Sequence, residues 1–145
     1  MKKNIIRTFV IVMIISITSA TLLTANAADL KSDGIQASLY ISTCSSQITT
    51  GTSGKIYVDC SVNGTGIMDT IGVQTLVIQK YQSGAWVDAI SWNSLYNYIA
   101  ASCSVSATYN GSVGTQYRAV ITFYAALGSG SDSRIMTTSS VTAAS

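Results

Sequence analysis

Four aromatic side chains crowd one short stretch of this chain: Trp86, Trp92, Tyr96 and Tyr98, with Asp88 and Asn93 among them. Exposed flat rings beside amide and carboxylate groups are how β-sandwiches commonly hold sugars. Trp92, Tyr96 and Tyr98 are therefore the candidate ligand-binding residues. The competing reading is packing, with Trp86 in the core and Trp92 covering an edge. Other reactive groups are sparse. The sequence has no His and no Glu, which removes Ser-His-Asp and Cys-His catalysis. Its Asp residues could supply a glycosidase-type pair. Asp59, Asp69 and Asp88 fall in different runs, however, where turn capping and solvated faces account for them. The stretch 128–134 reads Gly-Ser-Gly-Ser-Asp-Ser-Arg but lacks the Lys and the following helix of a phosphate loop. Asp132 and Arg134 are expected to pair locally at a strand start. No catalytic residue, metal ligand or cofactor is assigned.

The cysteines are Cys44, Cys60 and Cys103. Three allow at most one intramolecular bridge. A hairpin centred on Thr52 sets Ile48 opposite Ile56 and Cys44 opposite Cys60, the easiest pair to derive. Cys60 and Cys103 would be neighbours if the second strand pairs with the fifth, as in immunoglobulin topology. The alternative is three small buried apolar residues, all reduced. Metal binding is disfavoured without His or a Cys-x-x-Cys pair.

These groups must be positioned by strands. Short β-rich runs are separated by Gly, Ser, Asn and Asp clusters, the spacing of an all-β sandwich or barrel. Residues 37–49 read as a first strand, with Tyr40 and Ile48 on one parity, and 50–54 as a turn. Ile56, Val58, Cys60 and Val62 alternate with Tyr57, Asp59 and Ser61, the cleanest period of two in the chain. Asn63-Gly64 reads as a turn. The run 73–81 is apolar on both faces, as a central strand would be. Gln82-Ser83-Gly84 turns it into 85–92. Alternation resumes over 102–109, a turn follows at Asn110-Gly111, and a further strand covers 117–124. A Gly-Ser loop over 127–131 leads to a last strand over 134–141. Asn63-Gly64-Thr65 and Asn110-Gly111-Ser112 match glycosylation sequons but are better read as turns.

About seven strands match an antiparallel immunoglobulin or fibronectin type III-like sandwich. Tyr117, soon after Gly114, has the placement of a tyrosine corner, in which a hydroxyl bonds backbone upstream and pins a crossover. Ala119 stands where antibody domains carry their second Cys, so fibronectin type III packing is the closer comparison.

The N-terminus reads as an export signal. Lys2, Lys3 and Arg7 are followed by a greasy run over 9–17, and Ala25-Asn26-Ala27 fits a small-x-small cleavage site. The run is short for a bilayer span of about 20 residues. A Sec-type signal-peptide helix over 1–27, cleaved near Ala27, a flexible lead-in over 28–36 and a β-sandwich over 37–145 make up the expected organisation. The signal carries three of the cations. The remainder keeps Lys31, Lys55, Lys80, Arg118 and Arg134 against six Asp. A near-neutral domain with so few charges has no footprint for nucleic acid or an anionic membrane.

Two groups of residues carry a resemblance. One is Gly114-x-x-Tyr117-Arg118-Ala119-Val120-x-x-Phe123-Tyr124-Ala125, followed by Gly130-Ser131-Asp132-Ser133-Arg134. The other is Met68-Asp69-x-Ile71-Gly72, then Ile78-Gln79 and Gly84-x-Trp86. Together, from about Tyr40 to Val141, they resemble a family of small exported proteins of clostridia-type Firmicutes. The resemblance implies a secreted, fibronectin type III-like single domain of a Gram-positive bacterium. It brings no catalytic residues, and the cysteines are not part of its pattern.

The expectation is thus a secreted or surface-associated, non-catalytic binding or structural module. Its partner would be cell-wall or extracellular polysaccharide, or another protein. A secreted effector, bacteriocin-like or signalling, is the second reading, and a secreted hydrolase the third.

Overall fold

A computed structural model describes residues 38–145. The expected signal peptide and its helix, and the lead-in over 28–36, lie outside the described residues. Six strands follow in order: β1 (Ile41–Thr50), β2 (Lys55–Gln82), β3 (Ala85–Asn110), β4 (Gln116–Leu127), β5 (Gly130–Thr137) and β6 (Val141–Thr142). All pairings are antiparallel and link into one curled sheet. The fold is all-β, as the alternation predicted.

Two strands are much longer than the sequence suggested, because Asn63-Gly64 does not turn the chain. β2 runs through it for 28 residues, and β3 runs beside β2 for 26. The ladder between them is interrupted between Asn63 and Met68 and resumes at Met68↔Ala100. Bulges of this kind bend a strand without ending it. The bend divides the sheet into two halves. In the first, residues 56–64 of β2 lie between β1 and the end of β3. In the second, residues 70–80 of β2 lie between the start of β3 and β4, with β5 outside β4. Gly64 sits in the bend, where a Cβ would come within 2.8 Å of the Gly66 carbonyl oxygen and 3.0 Å of Met68.

One face of each half turns inward. Ile56, Val58 and Val62 from the first half join Ile71, Val73, Leu76, Ile78, Ile121 and Phe123 from the second in one buried cluster. Side chains of this size each stabilise a fold by about 1.5–3 kcal/mol when fully buried. Ile41 is buried along with Ile48, not Tyr40, because a register shift between Ile41 and Thr43 reverses the parity of β1. The chain end closes one side of the core. Ala143 is buried, its N–H bonds Thr115 O at 3.0 Å, and Ala144 O accepts the Gly54 N–H at 2.8 Å.

The 127–131 stretch is a tight hairpin turn, with Leu127 paired to Gly130. The final strand of the sequence reading is split into β5 and β6. Between them Thr138 bonds Ala119 through its backbone N–H and its side-chain oxygen, both at 2.9 Å.

Candidate functional site

The inward rows of the first half hold the three cysteines. Cys44 pairs with Val62, Val62 with Cys103, Ser46 with Cys60, and Cys60 with Val105. The β1–β2 hairpin is centred on Ser53 rather than Thr52, which moves every partner by two residues, so Ile48 meets Val58 and Cys44 does not face Cys60. Cys60 is diagonal to both other thiols. Diagonal neighbours stand about 7–8 Å apart, at or beyond the reach of a disulfide without backbone movement. The Cys44–Cys60 bridge is therefore not formed, and all three are free thiols. Burial, then Cys103 and Asp59, pushes the Cys60 thiol up to about 11. Burial also raises Cys44, with Arg134 working against it, and raises Cys103. Raised thiols are poor nucleophiles.

Outward, the same half carries short hydroxyl and amide side chains in cross-strand rows: Thr43–Asn63–Ser102, Ser45–Ser61–Ser104 and Gln47–Asp59–Ser106. They bond one another, with Ser45 and Ser61 Oγ atoms 2.8 Å apart and Ser106 donating to Asp59 at 2.6 Å. A depression of about 350 Å³ opens over the second and third of these rows, with Ser46, Cys60 and Val105 between them. It contains no aromatic ring.

The outward face of the second half is different. The β2–β3 turn uses Ser83 at φ 52° and Gly84 at φ 84°, the positive pair of a type I′ turn. It brings Tyr81 opposite Trp86, with ring centroids 5.2 Å apart. Arg118 of β4 lays its guanidinium over the Trp86 ring, 4.5 Å from the centroid. Its Nε donates to Gln79 Oε1 at 2.9 Å, and Gln79 Nε2 donates to Asp88 Oδ1 at 2.8 Å. Further along, Gly72 of β2 lies between Tyr124 of β4 and Tyr96 of β3. With no side chain between them, the two rings approach to 5.8 Å. Burial, then the neighbouring Tyr124 and Tyr98, raises the Tyr96 hydroxyl. Tyr98 is 70% exposed beside them.

Trp92 does not share this face. It pairs with Leu76 and packs against the core with Ile90 and Leu95. The packing expected of Trp86 belongs to Trp92, and Trp86 takes the outward position. Two irregularities in β3 decide which rings share a face, the first setting Trp92 apart from Trp86 and the second returning Tyr96 to the outward side. Ala89 is an extra residue where the register shifts between Ile78 and Gln79, and Ser94, at φ 57°, stands outside the ladder opposite Gln74. Each reverses which face the following side chains take. Tyr81, Arg118, Gln79 and Tyr124 were missed as site residues. The signal that would have found them is register, which brings residues far apart in sequence into one row.

The carboxylates are dispersed. Asp59 takes Ser106, Asp88 takes Gln79, and Asp69 accepts the Gly128 N–H at 2.7 Å. Asp132 accepts from Ser38 Oγ at 2.6 Å and the Tyr40 N–H at 2.9 Å, so it anchors the approach to β1 rather than closing on Arg134. These bonds hold its carboxyl below the usual range, with Arg134 the weakest contributor. Tyr117 is buried, and its hydroxyl accepts the Ser112 N–H at 2.8 Å. Among the described residues no group of three His, Cys, Asp or Glu gathers as metal ligands would.

No family model and no curated protein matches the chain. Among solved structures, a protein from Archaeoglobus fulgidus matches over 70% of this chain and 96% of its own, at 12% identity and a TM-score of 0.39.

Proposed function

We propose that this is an exported, non-catalytic binding module of fibronectin type III-like build that holds polysaccharide on the outward face of its second half. The fold reading is supported by strand order. With its two long strands divided at the bend, the first half reads β1, β2, β3 and the second β5, β4, β2, β3, the order of strands A-B-E and G-F-C-C′ in that type of sandwich. The Tyr117–Ser112 bond has the form of a tyrosine corner. Export, the cleavage near Ala27 and the likeness to small exported Firmicutes proteins belong to the same reading. N-terminal sequencing of the supernatant form should begin at Ala28, give or take a couple of residues; an intact Met1 there would defeat it.

One observation carries the binding function. Aromatic rings stand at both ends of a single outward face, Tyr81 and Trp86 at one and Tyr96, Tyr98 and Tyr124 at the other, with amide and charged groups beside them. Rings on a rigid sheet present flat apolar surface at little entropic cost, and planar polar groups fix the orientation of what stacks there. The test is retention on purified cell walls, insoluble polysaccharides and whole Gram-positive cells. Trp86→Ala and Tyr96→Ala should lose retention while folding normally. Retention unchanged in both, or none with the parent protein, would remove the polysaccharide reading in favour of a soluble effector or structural role.

A further inference from the structure

The end of this face nearest the β2–β3 turn has a narrower chemistry than general sugar binding. Arg118 is the one cation on the outward face of the second half among the described residues: Lys80 shares the parity of Tyr117, its register partner, and Arg134 that of Phe123. The guanidinium is held from two directions, by the Trp86 ring beneath it and by Gln79 at Nε. Gln79 is braced in turn, its amide nitrogen donating to Asp88. What remains is the outer fork of the guanidinium. Its two terminal nitrogens meet no acceptor among the described residues.

We propose that this fork binds the carboxylate of an acidic sugar, a hexuronate unit of an extracellular polysaccharide, with Tyr81 beside it stacking on the sugar ring; this rests on the polysaccharide-binding reading above. A planar, oriented fork matches a carboxylate with two parallel hydrogen bonds. Charge favours a monoanion over a phosphate or sulfate cluster, since one Arg faces outward and Asp88 lies one amide away. Tyr81 is 44% exposed and 5.2 Å from Trp86, so a flat apolar surface adjoins the charged one. A peptide carboxylate has the charge without the ring to stack.

The test uses the purified protein in a Trp92→Phe background, so that Trp86 fluorescence reports the site alone, with calorimetry alongside. The probes are polygalacturonate, its fully methyl-esterified form and poly-glutamate. Polygalacturonate should perturb Trp86 and bind at least tenfold more tightly than either of the others. Arg118→Gln should weaken it tenfold or more. Arg118→Lys should recover only part, because it restores the charge but not the fork. Thermal unfolding of each variant separates lost binding from lost fold, and Tyr81→Ala gives a second, uncharged route to the same site. Equal binding of acid and ester, abolished by Trp86→Ala but indifferent to Arg118→Gln, would overturn the acidic-sugar proposal while leaving the polysaccharide module standing. Poly-glutamate binding as well as the polysaccharide would overturn the sugar in favour of a peptide carboxylate. No perturbation by any of the three would overturn the proposal too, and retention on neutral insoluble polysaccharides would then decide whether the module reading survives.

Discussion

The two halves of the curled sheet agree on the inside and differ on the outside. Inward, each carries alternating Ile, Val and Leu into one shared cluster. Outward, the first half carries Ser, Thr, Asn, Gln and Asp59 in bonded rows, with a single aromatic among the described residues, Tyr57, beside the β1–β2 turn, whereas the second carries Tyr81, Trp86, Tyr96, Tyr124 and Arg118. Since the same fold is built under both, packing does not call for a cluster of aromatics on an outward face; the first half manages with Tyr57 alone. Short hydroxyls do that task next door. The contrast separates what the fold requires from what a ligand would require. It also accounts for the sparse charge of the chain, in which Asp, Glu, Lys and Arg make up 10% of residues. Hydroxyl rows supply much of the wetting that charged side chains usually provide.

The strongest way to break the comparison is to show that the halves do not share a core. Ile56→Ala in the first and Ile121→Ala in the second remove fully buried side chains. Each should cost about 2–5 kcal/mol and shift one cooperative unfolding transition in denaturant. Two transitions, with only one moved by each substitution, would mean two separate folding units.

The thiols sharpen the same point, because all three lie in the first half while Trp92 lies in the second. With Cys60 held at about 11, its thiolate at pH 8 is depleted by about two orders of magnitude against an ordinary Cys near 8.5. Labelling by a chromogenic thiol reagent should be slow in the native protein and complete on unfolding. It should follow the same denaturant curve as Trp92 fluorescence in a Trp86→Phe background. Fast stoichiometric labelling of Cys60 without denaturant would mean that the first half opens independently.

Tyr117→Phe acts where the two halves connect through the 111–115 loop. Removing the hydroxyl leaves the Ser112 N–H without its acceptor, a cost of about 1–2 kcal/mol. Unchanged stability would mean that water replaces the hydroxyl, and the corner argument for the fold would go with it.

Much of this was legible and some was not, for reasons that particular residues make plain. Alternation over 56–62 and 117–123 identified strands and their inward faces, because one face is buried at every second residue. Continuity was hidden. Asn63-Gly64 has turn chemistry, yet Asn63 stays paired with Thr43 and Ser102, and donates to Thr43 Oγ1 at 2.9 Å. The long-range ladder outweighs a local preference. The candidate site was blurred by parity. Trp86, Trp92, Tyr96 and Tyr98 all carry even numbers and so read as one face, but Ala89 reverses the sense before Trp92 and Ser94 restores it before Tyr96. Arg118 and Tyr124 were invisible as partners because only the fold sets β4 against β2.

Asp132 ties the halves together from outside the core, reaching from β5 to Ser38 and Tyr40 at the approach to β1. The Ser38 and Tyr40 bonds hold its folded pKa below the unfolded value. Its contribution is therefore fully present above the unfolded aspartate value of about 3.9, and is lost as pH falls through the lower folded one. Asp132→Asn should flatten the acid limb of the stability curve and change it little at pH 7 beyond the loss of charge assistance. An identical acid limb in the variant would assign the pH dependence to other carboxylates.

The smallest effect is expected where the two outward faces differ most. Ser61→Ala removes the hydroxyl that bonds Ser45 in the middle row of the first half. Both partners are close enough to solvent for water to replace the bond, so the change should stay within about 0.5 kcal/mol, as exposed substitutions usually do. Measured by denaturant midpoint at unchanged slope, that result would fit a hydroxyl face that serves as wetting. A cost above about 1 kcal/mol would mean that the rows act as a connected network. The first face would then be as specialised as the second, and the contrast between them could no longer support the proposed ligand-binding side.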